Sequence, residues 1–513
     1  MKHIARSTLI IAVFFGLEKV LGFLRQIVIG RTFQLSNELD AFNAANNIPD
    51  LLFSLISGGA LAMALIPVLS DKRESEGSQA AWDVFSQIAN FVFLVTASVS
   101  VLIALLAQQL VQWEIGIAPG FDAQQQVLVA ELMRLNLFAT LLFSLGGLVV
   151  AGLQSHQHFL LPAIAPSMYD IGALVGVLIF APTQGFQIGP VTLPALGLGI
   201  QGLVYGVILG SALYFLIQVP GLLQFDFRWV PKLNFKDPGL QRVLRLMAPR
   251  VLNVLAIQLI FISQDNLASR LITGSVTALV YGWLFMQVPE TLIGTALGVA
   301  LLPTLSEQVA RDDRQAFEDT LEKAIRVIIA LSIPCAVLLS IGIPAFVEIL
   351  NFGEAGTDLV IWTARAYIAG LLGHTLLEVA SRAFYAQHNA ITPMVVAGIT
   401  VVLFLITGII LAPVLGAPGI GLANSLAFTA NAVLLFYLLY RNLPTKLHLK
   451  STLIRVFSGT ALAGGMTVGL LHILPLDGLG GALKVLSTGG VLGLAGLVVL
   501  PFIWKEGKGL FEM

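Results

Sequence analysis

Two cations lie where hydrocarbon is expected. Lys19 and Arg25 sit six positions apart inside the first long hydrophobic run of the chain. An ionised side chain in a bilayer costs a few kcal/mol or more, so such residues face a bundle interior or a watery cavity. Six residues are about 1.7 helical turns, which places the two near one face. Arg31, close to the end of the same run, fits a side chain that snorkels to the headgroups. The following run carries Asp40, Asn43, Asn46, Asn47 and Pro49, and Arg250 lies in a later one. Lys19, Arg25 and Arg250 would attract an anion, and phosphate groups suit such a cluster. Asp170, Asp265 and Glu290 also fall within hydrophobic runs. Two readings of these acids stand side by side: proton or cation coupling, or simple pairing with a nearby base, as Asp265 with Arg270. Asn46, Asp265 and Glu290 are the candidate gating or coupling residues.

The elements that must position these groups are membrane helices. The chain has 513 residues, of which only 11% are charged and 57% hydrophobic. Soluble domains carry about 25% charged residues, so the composition indicates an all-α polytopic membrane protein. At about 20 apolar residues per span, fourteen helices are expected, at 7–33, 41–70, 81–112, 127–153, 159–181, 193–220, 247–272, 277–306, 320–350, 358–386, 391–412, 417–440, 452–474 and 481–504. Lys and Arg concentrate in alternate connections, which by the positive-inside rule places both termini in the cytoplasm. The first run continues past Glu18 and Lys19 without a small-residue cleavage site, which makes it a spanning helix rather than a signal peptide. The single cysteine, Cys335, permits no intrachain disulfide. There is no P-loop, HExxH, Cys/His metal spacing or nucleophile elbow, so neither ATP-driven work nor hydrolytic chemistry is indicated. No cofactor is expected, and the energy source is assigned to a monovalent ion gradient, the membrane potential or the cargo's own gradient. Nucleic acid is not an expected partner, because the basic residues form no single patch.

Two internal similarities organise the chain. IPDLLFSLISGGALAMALIPVLS at 48–70 resembles VPETLIGTALGVALLPTLS at 288–306, and AGLQSHQHFLLP at 151–162 resembles AFYAQHNAITP at 383–393. Both pairs occur in the same order, six expected helices apart. They predict two parallel six-helix lobes about a pseudo-two-fold along the membrane normal, with a site between them, as in many transporters. The expected divisions are an N-lobe at 1–220, a cytoplasmic linker at 221–246, a C-lobe at 247–441, and two additional helices with a tail at 442–513. Within the linker, Leu240, Val243, Leu244 and Met247 oppose Arg242 and Arg245, a pattern suited to a short amphipathic helix on the inner membrane surface, or to a plain polar connection.

With these residues in view, the chain resembles the MurJ/MviN family of lipid II flippases, within the multidrug/oligosaccharidyl-lipid/polysaccharide exporter superfamily. The resemblance rests on K-V-L-G-F-L-R at 19–25, D-A-F at 40–42, I-P-D-L-L at 48–52, G-G-A-L at 58–61 and I-P-V-L at 66–69. F-L-L-P-A-I-A-P at 159–166, T-G-S-V-T-A-L-V-Y at 273–281, L-L-P-T-L-S at 301–306 and R-A-F-Y-A at 382–386 extend it. It implies movement of undecaprenyl-diphosphate-linked peptidoglycan precursor from the inner to the outer leaflet by alternating access, for cell wall synthesis, by a protein that is a transporter and not an enzyme. It further implies that Lys19 and Arg25 face the diphosphate, that Asp40 is functional, and that the last two helices form a groove for the lipid tail. Membrane lipids and cell-wall synthesis proteins are the implied surroundings of a monomer. Phe53 and Leu284 stand where the family usually has Arg, and Lys19, which lacks the planar fork of a guanidinium, replaces the more common Arg. Either Arg250 makes up the charge or the cargo is another polyprenyl-linked oligosaccharide. An ion-coupled drug antiporter on the same fold is the expectation from a different class, and a non-transporting scaffold the least favoured.

Overall fold

A computed structural model describes the backbone of all residues except Met1, 57–58, 235, 442–447, 476–478 and 512–513; side chains at 2–13, 15, 56, 59–64, 188, 191, 246, 248–250, 252–253 and 509–511 are also outside the description. Backbone polar groups find no water in hydrocarbon, so the chain satisfies them within helices. Two compact units result, Met1–Arg270 and Leu271–Met513.

The first unit contains α1 (Lys2–Phe33), α2 (Asn37–Ile56), α3 (Gly59–Glu76), α4 (Ser78–Gln112), α5 (Ala123–Ser155), α6 (Leu160–Val175), α7 (Gly199–Leu216), the short α8 (Val219–Gln224) and α9 (Pro238–Ala268). A π-helical turn, Gly176–Phe180, extends α6, and a two-residue strand pair, Gln187–Ile188 with Val191–Thr192, forms a small hairpin before α7. Helices α6 and α7 meet through glycines: a Cβ on Gly172 would lie 2.2 Å from the Gly210 Cα, and one on Gly176 would lie 2.6 Å from the Gly206 Cα. Only hydrogen fits there, the small-residue packing common between membrane helices.

The second unit contains α10 (Ser275–Glu290), α11 (Ala296–Ala310), α12 (Arg314–Glu348), α13 (Gly353–Ile368), α14 (Leu371–Ala386), α15 (Ile391–Leu415), α16 (Ala417–Tyr440), α17 (Lys450–Ile473) and α18 (Gly481–Phe511). A π-helical turn, Thr291–Thr295, joins α10 to α11 just after Pro289. Proline has no N–H to donate, and a local π adjustment is one way to re-satisfy the ladder. Buried side chains of α17 and α18, among them Ala463, Ala495 and Val499, join the same core as Leu321, Ile325 and Ile328 of α12.

Among the described residues, eleven segments are long and apolar enough to cross a bilayer, from Ser78–Gln112 through Gly481–Lys508. They coincide with the spans expected from 81–112 to 193–220 and from 277–306 to 481–504. The three remaining expected spans lie on α1, on α2 with α3, and on α9, which carry Lys19, Arg25, Asp40 and Asp265 among them.

The run 41–70 is helical up to Ile56 and again from Gly59, and 57–58 lie outside the description. One expectation changes. The amphipathic stretch beginning at Pro238 is no separate surface helix; it forms the first turns of α9. Asp237 caps that helix, accepting from the Gly239 and Leu240 amides, and Pro238 takes the N-terminal position where no N–H is needed. Leu240 and Val243 are buried in a core with Trp82 and Leu153, so this part of the apolar stripe packs on protein, while Leu244 stays exposed. The preceding segment is strapped to α4. Trp82 Nε1 donates to the Phe225 carbonyl at 2.9 Å, Asn90 Nδ2 donates to Val230 at 2.8 Å, and Trp229 Nε1 donates to Asn90 Oδ1 at 2.8 Å.

One of the two sequence similarities has a local structural counterpart. After α5, the His158 amide donates to Leu153 O at 3.0 Å and the Gln157 amide to Gln154 O at 2.9 Å; after α14, Asn389 donates to Phe384 O at 3.0 Å and His388 to Tyr385 O at 2.9 Å. Gln157 and His388 both take left-handed backbone, φ 59° and 57°. Each is a Schellman-type helix end built without glycine.

Candidate functional site

The first unit holds a charged cluster at α1, α2 and α6. Arg25 Nη1 lies 3.1 Å from Asp170 Oδ1, with the side chains 16% and 4% exposed. The guanidinium lies 4.6 Å from the centroid of the Tyr169 ring. Arginine suits this place, because its planar group stacks on an aromatic face and still offers hydrogen-bond donors. Asp50, exposed and directly after Pro49, is within electrostatic reach of Arg25. Phe53 packs at 5.6 Å against Phe143, which itself lies 5.3 Å from Tyr169. An aromatic wall therefore stands where the resemblance led one to expect a further arginine.

Lys19 does not share this environment. Its side chain is 59% exposed and pairs with Glu18 at 3.3 Å. Six residues at about 100° each leave the two cations about 120° apart around α1, not on one face. Lys19 reaches Asp170 through its electrostatic field, whereas Arg25 is the cation at ion-pair distance from it.

A second polar group ties α2 to α5 and α9. Asp40 is buried in the first turn of α2, where the helix dipole favours a carboxylate. The turn is capped by Ser36, whose Oγ accepts from the Leu39 amide at 3.2 Å. Asp265 on α9 is also buried and within electrostatic reach of Asp40, and it accepts a hydrogen bond from Asn47 Nδ2. Asn46 turns the other way, accepting from Asn136 Nδ2 at 2.6 Å. The expected alternative, Asp265 paired with Arg270, does not occur: Arg270 binds Glu114 at 2.7 Å. Arg250 lies on α9, and its side chain is outside the described residues.

In the second unit, Glu290 is half-buried and accepts from Thr295 Oγ1 at 3.1 Å and Thr291 Oγ1 at 3.3 Å. Glu378 and Arg382, 3.0 Å apart on α14, are within its electrostatic reach. Leu284 is half-buried and puts an apolar side chain where the resemblance led one to expect an arginine. A cavity of about 720 Å³ also opens in this unit. Ile333, Val337 and Ile341 of α12 and Phe457 and Val468 of α17 make it mostly apolar, with Arg365 as its charged member.

Sequence reasoning passed over Tyr169, Asp50 and Arg365. A signal for Asp50 was present, since Pro49-Asp50 and Pro289-Glu290 occupy matching places in the two similar stretches. Outside the spans, His156 stacks on Trp82 at 4.4 Å with rings 7° from parallel. Burial pushes its basicity below the usual imidazole range; its hydrogen bond to the Gly152 carbonyl opposes this and the nearby Arg73 adds to it.

A family model described as "Lipid II flippase MurJ" matches residues 29–487. The chain is 29% identical over 442 residues to the "Lipid II flippase MurJ" of Burkholderia cenocepacia, covering 85% of this chain and 83% of that one. It is 26% identical over 481 residues to the "Probable lipid II flippase MurJ" of Vibrio cholerae, covering 92% and 89%. Among solved structures it is similar to "Lipid II flippase MurJ, inward closed conformation", with a TM-score of 0.73, 20% identity, and coverage of 96% and 99%. It is also similar to an inward-facing multidrug resistance MATE transporter of the MOP superfamily, with a TM-score of 0.69, 13% identity, and coverage of 82% and 93%. At these identities the structural likenesses establish the fold.

Proposed function

The chain belongs to the lipid II flippase MurJ family, matched over most of its length, and from that premise we propose how it moves lipid II, the undecaprenyl-diphosphate-linked peptidoglycan precursor, across the bacterial inner membrane. The observation that carries the mechanism is the Arg25–Asp170 pair on the Tyr169 ring. In the empty state Asp170 balances the guanidinium, which would otherwise be an isolated charge among helices. An arriving diphosphate offers a doubly hydrogen-bonding partner of greater charge, and Arg25 exchanges the carboxylate for it. Lys19, within electrostatic reach of Asp170, offsets the carboxylate left behind. Release of the diphosphate restores the first pair, so the site resets without a covalent step.

The coupling residues in this reading are Asp40 and Asp265. Two buried acids within the membrane mark a place where a coupling ion would act, and Asn47 on α2 ties that event to α9. The membrane potential contributes about 2.3 kcal/mol per elementary charge per 100 mV. The π-helical turns and intrahelical prolines supply places where helices bend during alternating access. The alternation of basic connections supports cytoplasmic termini, and the protein acts as a monomer.

A second reading is favoured by one feature. The Phe53–Phe143–Tyr169 wall removes an expected cation, which suits a polyprenyl-linked oligosaccharide other than lipid II. Complementation of a bacterium depleted of its own lipid II flippase separates the two. Growth together with lipid II exposed on the outer leaflet supports the first; a well-inserted protein giving neither supports the second.

A further inference from the structure

Arg365 lies where two cavities of the second unit meet. One is the apolar groove of about 720 Å³ between α12, α13 and α17. The other, of about 590 Å³, is polar and opens at the junction of α12 and α13, with Glu348, Asn351 and Asp358 in its wall. Arg365 Nε donates to the Ser340 carbonyl at 3.1 Å, and its guanidinium lies 4.9 Å from the centroid of the Trp362 ring. Trp362 is 59% exposed. Glu348, the acid of this wall that comes from α12, is bound by Lys484. Ser340 precedes the end of α12 by eight residues and Arg365 follows the start of α13 by twelve, depths of about 12 and 18 Å at 1.5 Å per residue. Half of the hydrocarbon layer is about 15 Å. The guanidinium is thus a cation at hydrocarbon depth beside an apolar groove, a place where an ionisable group marks a ligand path.

We propose that Arg365 is a second phosphate-holding residue, gripping the diphosphate of the polyprenyl-linked cargo while the polyprenyl chain lies along Ile333, Val337 and Ile341. This rests on the flippase reading above and adds a station to it. With cytoplasmic termini, the junction of α12 and α13 faces the outer side, so Arg365 holds the cargo on its way out. The guanidinium keeps its carbonyl bond through Nε, which leaves its terminal nitrogens to fork onto phosphate oxygens. Trp362 covers the opposite face of the group, and the chain is the only part of the cargo the groove can take by its apolar lining.

The test uses the full chain in phosphatidylcholine liposomes with undecaprenyl diphosphate bearing a photoreactive tail. The readout is crosslink yield to the peptide containing Val337 and Ile341, with lipid II translocation measured in parallel. In the wild type the peptide crosslinks, and Arg365→Ala lowers the yield about tenfold, the loss of roughly one charge-assisted contact. Arg365→Lys retains part of it. Ala336→Trp, which fills the groove and leaves the guanidinium in place, lowers the yield as far and decides the question if the first variant fails to fold. Wild-type yield in a folded Arg365→Ala protein overturns the proposal, as does displacement of the probe by phosphatidylglycerol at equal concentration. If the wild type translocates lipid II but the groove never crosslinks, this station is wrong and the flippase reading stands. If the wild type neither translocates nor crosslinks, both fall.

Discussion

The two units each hold an arginine against a carboxylate, and the two pairs differ in kind. Arg25 and Asp170 come from different helices, α1 and α6, and are 16% and 4% exposed. Arg382 and Glu378 lie four residues apart on α14 and are 25% and 30% exposed. A same-helix pair forms wherever the helix forms, and contributes a few tenths of a kcal/mol. A buried pair between helices forms only when the helices are in register, and its loss leaves an uncompensated charge. The first is therefore able to report a change in helix arrangement or in cargo, and the second is mainly a feature of one helix surface.

The largest expected effect follows from breaking the first pair alone. Arg25→Ala leaves Asp170 buried without its base, costing about 3–5 kcal/mol, and is expected to lower the yield of folded protein and abolish flipping. Adding Asp170→Asn removes the orphaned charge. The double variant is expected to regain thermal stability but not transport, which separates the structural part of the pair from its role toward cargo. Next comes the carboxylate group on α2 and α9. Asp265→Asn keeps the size of the side chain and a bond to Asn47, so the protein should fold normally, while transport measured against an imposed ion gradient or potential should lose its dependence on that gradient. Persistence of the dependence would remove Asp265 from the coupling role. Glu378→Gln tests the other side of the comparison. It should change stability by no more than about 0.5 kcal/mol and leave flipping within about twofold, a span of roughly 0.4 kcal/mol; a loss as large as that of Arg25→Ala would make the two pairs equivalent.

The smallest effect concerns the strap on α4. His156 is held neutral by burial against Trp82. Because the folded state disfavours the charged imidazole, stability is complete above the unfolded value of about 6.5 and falls as pH drops through and below it. Hydrogen exchange of the 225–232 segment should accelerate from pH 7 to pH 5, and His156→Phe should remove that dependence.

Much of the fold was legible because hydropathy reports directly on the requirement for helices in hydrocarbon. The continuity of α9 was not: its amphipathic first turns look like a membrane-surface helix until Leu240 and Val243 are seen packed with Trp82. In the site, residue types were readable and partners were not. Nothing local in the sequence joins Arg25 to Asp170, or Asp265 to Asn47 in preference to Arg270, since those choices are made by helix packing. The separation of Lys19 from Arg25 was within reach of helical arithmetic, which places them about 120° apart.

The most direct test of the account is lipid II translocation by the purified chain in liposomes, comparing wild type with the Arg25→Ala/Asp170→Asn double variant at equal folded protein. The account predicts translocation by the wild type and none above protein-free background in the double variant. Equal rates in the two would show that lipid II crosses without the Arg25 guanidinium, contradicting the exchange of carboxylate for diphosphate on which the mechanism depends.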